Sequence, residues 1–249
     1  MKVLDFGYVN LVESWGSDER IIEAARMSTD KGFQGWGPIH ETPEVCRLHP
    51  EYCRCNIKPG DEKLLRYLWE HNHTSPFEMA GAVFEVYAPI FVVREWQRHR
   101  VQALSEGLSF NEMSGRYIEL PDHYYIPSLE RLQSGKQHQK NKQASEAGFT
   151  TEEALELQTH LSLATARSRS SYEFLLDKGV SREIARMVLP VSQYTRLRAS
   201  ANLWGWLHFL GLRLAPNAQQ EIREYSQALA EVIKEKFPRT YELFAETQA

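Results

Sequence analysis

The stretch from Ala88 to Tyr117 gathers the residue types that bind and polarise small anions. It holds four arginines (Arg94, Arg98, Arg100, Arg116), His99 and three glutamates (Glu95, Glu106, Glu112). A guanidinium presents a rigid fork of N–H donors that matches a carboxylate or phosphate two oxygens at a time. Further on, Asn111-Glu112-Met113-Ser114-Gly115-Arg116 places donors, acceptors and a glycine turn within six residues. Charged helix ends are common and most are solvated faces, so Arg98-His99-Arg100 alone is a weak signal. The Asn111–Arg116 tail tips the reading toward an anionic ligand that also forms hydrogen bonds. A second cluster, Cys46, His49, Cys53 and Cys55, has the spacing C-x2-H-x3-C-x-C. Thiolates and an imidazole in a short loop can hold tetrahedral zinc. The spacing is tight and unlike a standard finger, so free cysteines in a surface insertion stand beside the zinc reading. His71 and His73 lack a third nearby ligand and read as hydrogen-bonding groups at a helix end.

The elements that must hold these groups can be read from periodicity and capping. Val83 to Tyr87 alternates as a strand does and leads into Pro89, which fits the first position of a helix. A helix from Ile90 buries Ile90, Phe91, Val92 and Val93 in its first turn. It stacks Arg94 and Arg98 one turn apart, with Glu95 and His99 on the neighbouring stripe. Residues 3–13 read as a strand with a turn at Gly7. Ser17 caps a helix over Asp18 to Met27, and Asp61 to Asn72 forms an amphipathic helix with Leu64, Leu65, Leu68 and Trp69 inward. Residues 31–60 are irregular, and 133–148, polar and basic, read as a mobile loop. Thr150 and Glu153 form a capping box for a long helix that Gly179 stops. Ser181 caps a helix ending near Pro190. Leu197 to Leu212 reads as an apolar helix carrying Asn202 and His208, and Asn217 caps a last helix ending near Phe237-Pro238. No repeat or linker divides the chain, so one α+β domain over 1–249 is expected, with a central, mostly antiparallel sheet and a substantial helical portion.

Composition narrows the function classes. The chain has 249 residues, 42% hydrophobic and 25% charged, with a formal net charge of -4. The acidic balance argues against broad nucleic-acid binding but permits a local basic pocket. No run approaches the length of a membrane span, and residues 1–13 lack the apolar core of a signal peptide. Three cysteines are no secreted disulfide framework. A cytoplasmic protein is expected.

Arg-His-Arg, a spacer, then Asn-Glu-x-Ser-Gly-Arg resembles the signature of the flavin-dependent thymidylate synthases. The resemblance extends in order through His71 to Glu78 (H-N-H-T-S-P-F-E), Arg182 to Pro190 (R-E-I-A-R-M-V-L-P), Asn202, His208 and Leu212 to Ala215 (L-R-L-A). It covers nearly the whole chain apart from insertions at about 31–60 and 104–110. It implies a single domain of that family's fold and a homotetramer with active sites at subunit interfaces. It also implies reductive methylation of deoxyuridylate (dUMP) to thymidylate (dTMP), with FAD as cofactor and NADPH and methylenetetrahydrofolate as co-substrates. By the same resemblance, Ser28, Ser75, Glu78, Arg98, His99, Arg100, Glu112, Asn202 and His208 contact FAD. Ser28 reads equally as a polar residue at a helix end. Glu95, Arg98, Glu112, Met113, Ser114, Gly115, Arg116, Arg186 and Arg213 bind dUMP. Arg186 reaches the nucleotide of a neighbouring subunit, and Arg213 contacts the uracil ring as the catalytic cation.

The chain departs from the pattern in places. Thirteen residues separate Arg100 from Ser114, where the family usually has seven. Ser105 and Ser109 are alternatives to Ser114, which alone keeps its register with Asn111, Glu112, Gly115 and Arg116. The apolar Leu104, Leu108 and Phe110 are expected to pack and wall the active site. Position 95 is Glu where some members have Gln, and 204 is Trp where some have Arg. All three cysteines lie in the insertion, which suits a route without a cysteine nucleophile. A rival within the fold is a hydroxymethylase that adds water in place of hydride, and a rival of another class is a non-catalytic nucleotide binder.

Overall fold

The structure, a computed structural model, describes residues 1–37, 39–40, 57–100, 107–140 and 145–248. Its strands in chain order are β1 (Lys2–Val3), β2 (Gly7–Trp15), β3 (Ile39–His40), β4 (Ile57–Lys58), β5 (Gly81–Pro89), β6 (Ser109–Glu112), β7 (Lys136–Gln137), β8 (Ser145–Glu146) and β9 (Tyr194–Asn202). Five of them form one antiparallel sheet in the order β1-β2-β5-β9-β6. The mixed architecture with a central antiparallel sheet agrees with the expected α+β class.

The sheet is two-faced because its central strands alternate. In β9, Leu197, Ala199 and Ala201 are buried, while Arg196 and Arg198 point to the open face. The register pairs Phe84 with Ala199 and Val86 with Leu197, which sets the apolar rows of β5 and β9 side by side. This overturns the helix expected over Leu197 to Leu212. The first half of that stretch has period two and is the strand; only Leu203–Arg213 is helical. Asn202 is the junction, and its Oδ1 accepts from Gly205 N at 2.8 Å as an N-cap.

The helices are α1 (Asp18–Arg26), α2 (Asp61–Glu70), α3 (Ile90–Gln97), α4 (Leu129–Gln133), α5 (Thr151–Asp177), α6 (Arg182–Ala185), α7 (Leu203–Arg213), α8 (Gln220–Lys236) and α9 (Pro238–Gln248). Val92, Val93 and Trp96 from α3, Trp206 and Phe209 from α7, and Ile222, Tyr225 and Leu229 from α8 fill the core with the buried row of the sheet. Trp206 Nε1 donates to Ala82 O at 3.0 Å, so the largest core side chain of α7 satisfies its one polar atom on β5. The helix expected to end near Phe237-Pro238 does so, as α8 at Lys236, and a further helix, α9, follows it. Pro238 stops α8 but opens α9, where a missing N–H is harmless. The cap of α8 is Gln219, not Asn217. The loop over 133–148 contains a short ladder, with Lys136 opposite Glu146 and Gln137 opposite Ser145.

The chain ends are tied together by a buried carboxylate. Asp18, 3% exposed, accepts from Arg239 N at 2.9 Å, Thr240 N at 3.2 Å and Thr240 Oγ1 at 2.6 Å, and so caps α9 from α1. Helix α5, by contrast, is largely uncovered. It starts with the expected Thr150–Glu153 capping box, yet only Ala154 and Tyr172 along its 27 residues are buried. Leu155, Leu161, Leu163 and Phe174 on α5, and Met187 just beyond α6, are exposed, Met187 at 78%.

Cys46, His49, Cys53 and Cys55 lie outside the described residues, as do Leu104, Ser105 and Glu106. Among the described residues no group of three or more His, Cys, Asp or Glu is placed to hold a metal ion. None of their helices is long and apolar enough to cross a membrane.

Candidate active site

Strand β5 delivers the chain into α3 through Pro89. This residue is extended (φ -60°, ψ 145°) and serves as the N-cap, one position earlier than expected. Helix α3 anchors itself with Val92, Val93 and Trp96 and ends at Gln97. Arg98–Arg100 then tightens into a 3₁₀ turn. His99 is 1% exposed, whereas Arg94 and Arg98 stay at the surface.

Helix α7 brings its last residue against this turn. Arg213 Nη1 donates to Glu95 Oε2 at 2.6 Å, Nη2 to Glu95 O at 3.1 Å, and Nε to His99 Nε2 at 2.9 Å. The Arg213 side chain is only 18% exposed. Three of its five N–H groups are thereby committed to the last turn of α3 and the 3₁₀ turn after it. The His99 ring lies 4.8 Å from the Phe209 ring and 6.3 Å from that of His208. Burial, then the Arg213 cation and His208, push the His99 imidazole down to about 4, so it is neutral at ordinary pH. Its Nδ1 is buried and has no hydrogen-bond partner among the described residues. Beside this cluster opens a cleft of about 340 Å³, lined by Trp69, Trp204, Leu207, His208 and Phe244.

A second group forms where β6 ends. Glu112 Oε1 accepts from Thr195 Oγ1 at 2.8 Å and Oε2 from Gln97 Nε2 at 3.4 Å. Met113 N donates to Arg196 O at 2.8 Å, and Tyr117 N to Ser114 O at 3.0 Å, which turns the chain. Gly115 is buried, and a Cβ there would meet Leu120 at 3.1 Å and the Arg186 side chain at 3.4 Å. Arg186 therefore packs on this loop of its own chain. Arg116 Nε lies 3.3 Å from Glu183 Oε2, and Arg182 Nη2 lies 3.7 Å from Glu119 Oε1. The loop and the turn after α6 thus form one unit. Among the described residues, no hydrogen bond or ion pair joins it to Arg213.

The sequence profile of the family described as Thymidylate synthase complementing protein matches residues 10–239. The chain belongs to that family. It is 43% identical over 244 residues to a flavin-dependent thymidylate synthase of Thermus thermophilus, covering 98% of this chain and 77% of that one. The enzyme of the same description from Thermosipho africanus is 38% identical over 243 residues, covering 98% and 92%. Among solved structures, the UMP/dUMP methylase PolB of Streptomyces cacaoi, bound with 5-Br dUMP, superposes with a TM-score of 0.77. It is 30% identical and covers 99% of this chain and 97% of that one.

Against the family motif, the structure brings together Glu95, His99, His208 and Arg213, and separately Glu112 through Arg116 with Arg186. Ser28 is exposed in a 3₁₀ turn, Met27–Thr29, after α1. Ser75 is exposed, and Glu78 accepts from Thr74 Oγ1 at 3.0 Å. The Arg100 side chain lies outside what is described. Sequence reasoning missed Thr195 and Gln97, which hold Glu112, Glu183 beside Arg116, and the Trp69–Trp204 cleft. Trp69 was legible only as an inward residue of α2. That it meets Trp204 at 5.4 Å is a tertiary fact without a local signal.

Proposed function

We propose that this protein methylates deoxyuridylate at C5 to give thymidylate, with methylenetetrahydrofolate as carbon donor and FAD, reduced by NADPH, as hydride source. The observation that carries this reading is the fixed cation at Arg213. Three bonds to the end of α3 hold its guanidinium in one orientation. Two N–H groups remain for the uracil edge. A preorganised cation there stabilises negative charge as it develops on the ring and so makes C5 nucleophilic. Because Glu95 and His99 already hold the group, no reorganisation is needed at that moment. The Ser114–Arg116 loop, with Arg186 beside it, supplies a guanidinium fork, a hydroxyl and backbone N–H groups suited to the nucleotide phosphate.

The residues present also fit a flavin. A buried N–H donor without a partner among the described residues, His99 Nδ1, requires an acceptor, and an isoalloxazine edge carries several. Arg98, His99, Arg100, Asn202 and His208 would hold the group, which when bound supplies the hydride. Ser28, Ser75, Glu78 and Glu112 are the further contacts proposed for it.

We infer that the site is completed between subunits of a homotetramer. Among the described residues no hydrogen bond or ion pair joins the Arg213 cluster to the Ser114–Arg116 loop, and Arg186 packs on the loop. The exposed apolar side chains along α5 and in the turn beyond α6, Leu163, Phe174 and Met187 among them, support the same conclusion, since so many are seldom all left to water. One experiment tests the activity. The protein is incubated with deoxyuridylate, methylenetetrahydrofolate, FAD and NADPH, and the nucleotide product is identified by mass. Thymidylate is expected; the 5-hydroxymethyl nucleotide or unchanged deoxyuridylate overturns the reading.

A further inference from the structure

We propose that His99 couples the two ligands of the site, its Nε2 fixing Arg213 on the nucleotide side and its Nδ1–H taking an acceptor on the flavin, so that each ligand strengthens binding of the other. The inference rests on the function proposed above and extends it to the order within the site.

The tautomer is set by the hydrogen bond. A guanidinium stays protonated and only donates. Arg213 Nε donates to His99 Nε2 at 2.9 Å, so that nitrogen carries the lone pair. In a neutral imidazole the proton then sits on Nδ1. That N–H is buried and unpartnered among the described residues. The ring cannot readily turn to find a partner. It is 1% exposed and packs 4.8 Å from the Phe209 ring, and its backbone carbonyl accepts from Leu108 N at 3.2 Å. Turning it would also break the bond to Arg213.

An acceptor that reaches Nδ1–H therefore satisfies a group left unpaired among the described residues. It also polarises the imidazole, which makes Nε2 a better acceptor for Arg213. Arg213 is thereby held more firmly where the nucleotide needs it. Linkage makes the effect reciprocal: whatever factor the flavin adds to nucleotide affinity, the nucleotide adds to flavin affinity. Such couplings are commonly about tenfold.

The test titrates FAD into the full chain with and without saturating deoxyuridylate and reads flavin fluorescence. In the wild type, deoxyuridylate should tighten FAD binding by about tenfold. His99→Gln keeps an amide near the Nε2 position for Arg213 but loses the Nδ1–H donor, and the ratio should fall to near one. An unchanged ratio in that variant, or a ratio of one in the wild type, overturns the proposal. If the wild type binds neither ligand, the proposed function itself falls. Should His99→Gln fail to fold, imidazole ¹⁵N NMR of the wild type decides alone. Expected is an Nδ1–H tautomer whose Nδ1 resonance moves on adding FAD; an Nε2–H tautomer, or no response, refutes the coupling.

Discussion

Replacing Arg213 by lysine keeps the charge and removes the fork. The arginine makes three bonds at 2.6, 2.9 and 3.1 Å, to Glu95 Oε2, His99 Nε2 and Glu95 O. A lysine ammonium on its flexible stem can serve one of these acceptors well. Glu95 is 36% exposed on its side chain and can turn to water, so its ion pair contributes little to stability. His99 Nε2 has no such recourse, because the ring is 1% exposed. An unsatisfied buried acceptor costs about 1–3 kcal/mol. In a protein of this size each kcal/mol moves Tm by roughly 2–4 °C, so a fall of about 2–12 °C is expected by calorimetry. The effect on chemistry should be larger. Loss of one preorganised donor at a developing charge costs about two to three orders of magnitude in kcat. Since the interaction strengthens in the transition state, kcat and kcat/KM should fall together. Steady-state thymidylate formation by Arg213→Lys measures both. Near-normal turnover with Tm within a degree of the wild type would refute the reasoning, because the three bonds would then be holding nothing the reaction uses.

The titration of His99 and the exposed apolar residues of α5 and the turn beyond α6 each carry a further expected outcome. His99 is depressed in the folded state to about 4, below its ordinary value, so the unfolded chain binds the extra proton between about pH 4 and 6.5. This contribution to stability is present above about pH 6.5 and is lost as pH falls toward 4; urea unfolding of wild type and His99→Gln at pH 7 and 5 should show the wild type losing about 2 kcal/mol more than the variant, and equal losses would refute it. Introducing charge among these exposed apolar residues, as Phe174→Glu with Met187→Glu, should break the proposed tetramer in sedimentation and abolish turnover, whereas an intact, active oligomer would mean that these residues do not form the interface.

How far the sequence led depended on whether a signal was local. Ser17, whose Oγ accepts from Arg20 N at 3.3 Å, and the Thr150–Glu153 box marked their helices because capping is written into neighbouring residues. The stretch from Leu197 misled because Leu, Ala and Trp suit helix and strand alike. Its first residues are apolar at every second position, and pairing with β5, remote in sequence, decided the matter. Glu95, His99 and Arg213 could each be named from motif positions. That one arginine grips both of the others could not, since α3 and α7 meet through tertiary contacts such as the packing of Trp96 against Phe209, 4.6 Å apart. The loss of helix at Arg98 likewise left no local mark, yet it accompanies the burial of His99.

The buried carboxylate of Asp18 gives the fold an order of assembly. It is made early in synthesis and desolvated in the finished protein, where burial pushes its carboxyl up and the bonds from Thr240 and Arg239 oppose that shift. Until α9 has left the ribosome, those donors do not exist for it. The first helix of a nascent chain must therefore keep Asp18 in water and leave Ile21 and Ile22 unsealed, however well Ser17 has capped it. Closure by Thr240, 222 residues downstream, makes burial of Asp18 conditional on the synthesis of α9. A chain broken off before Thr240 would leave the Asp18 carboxylate without the three donors that bury it.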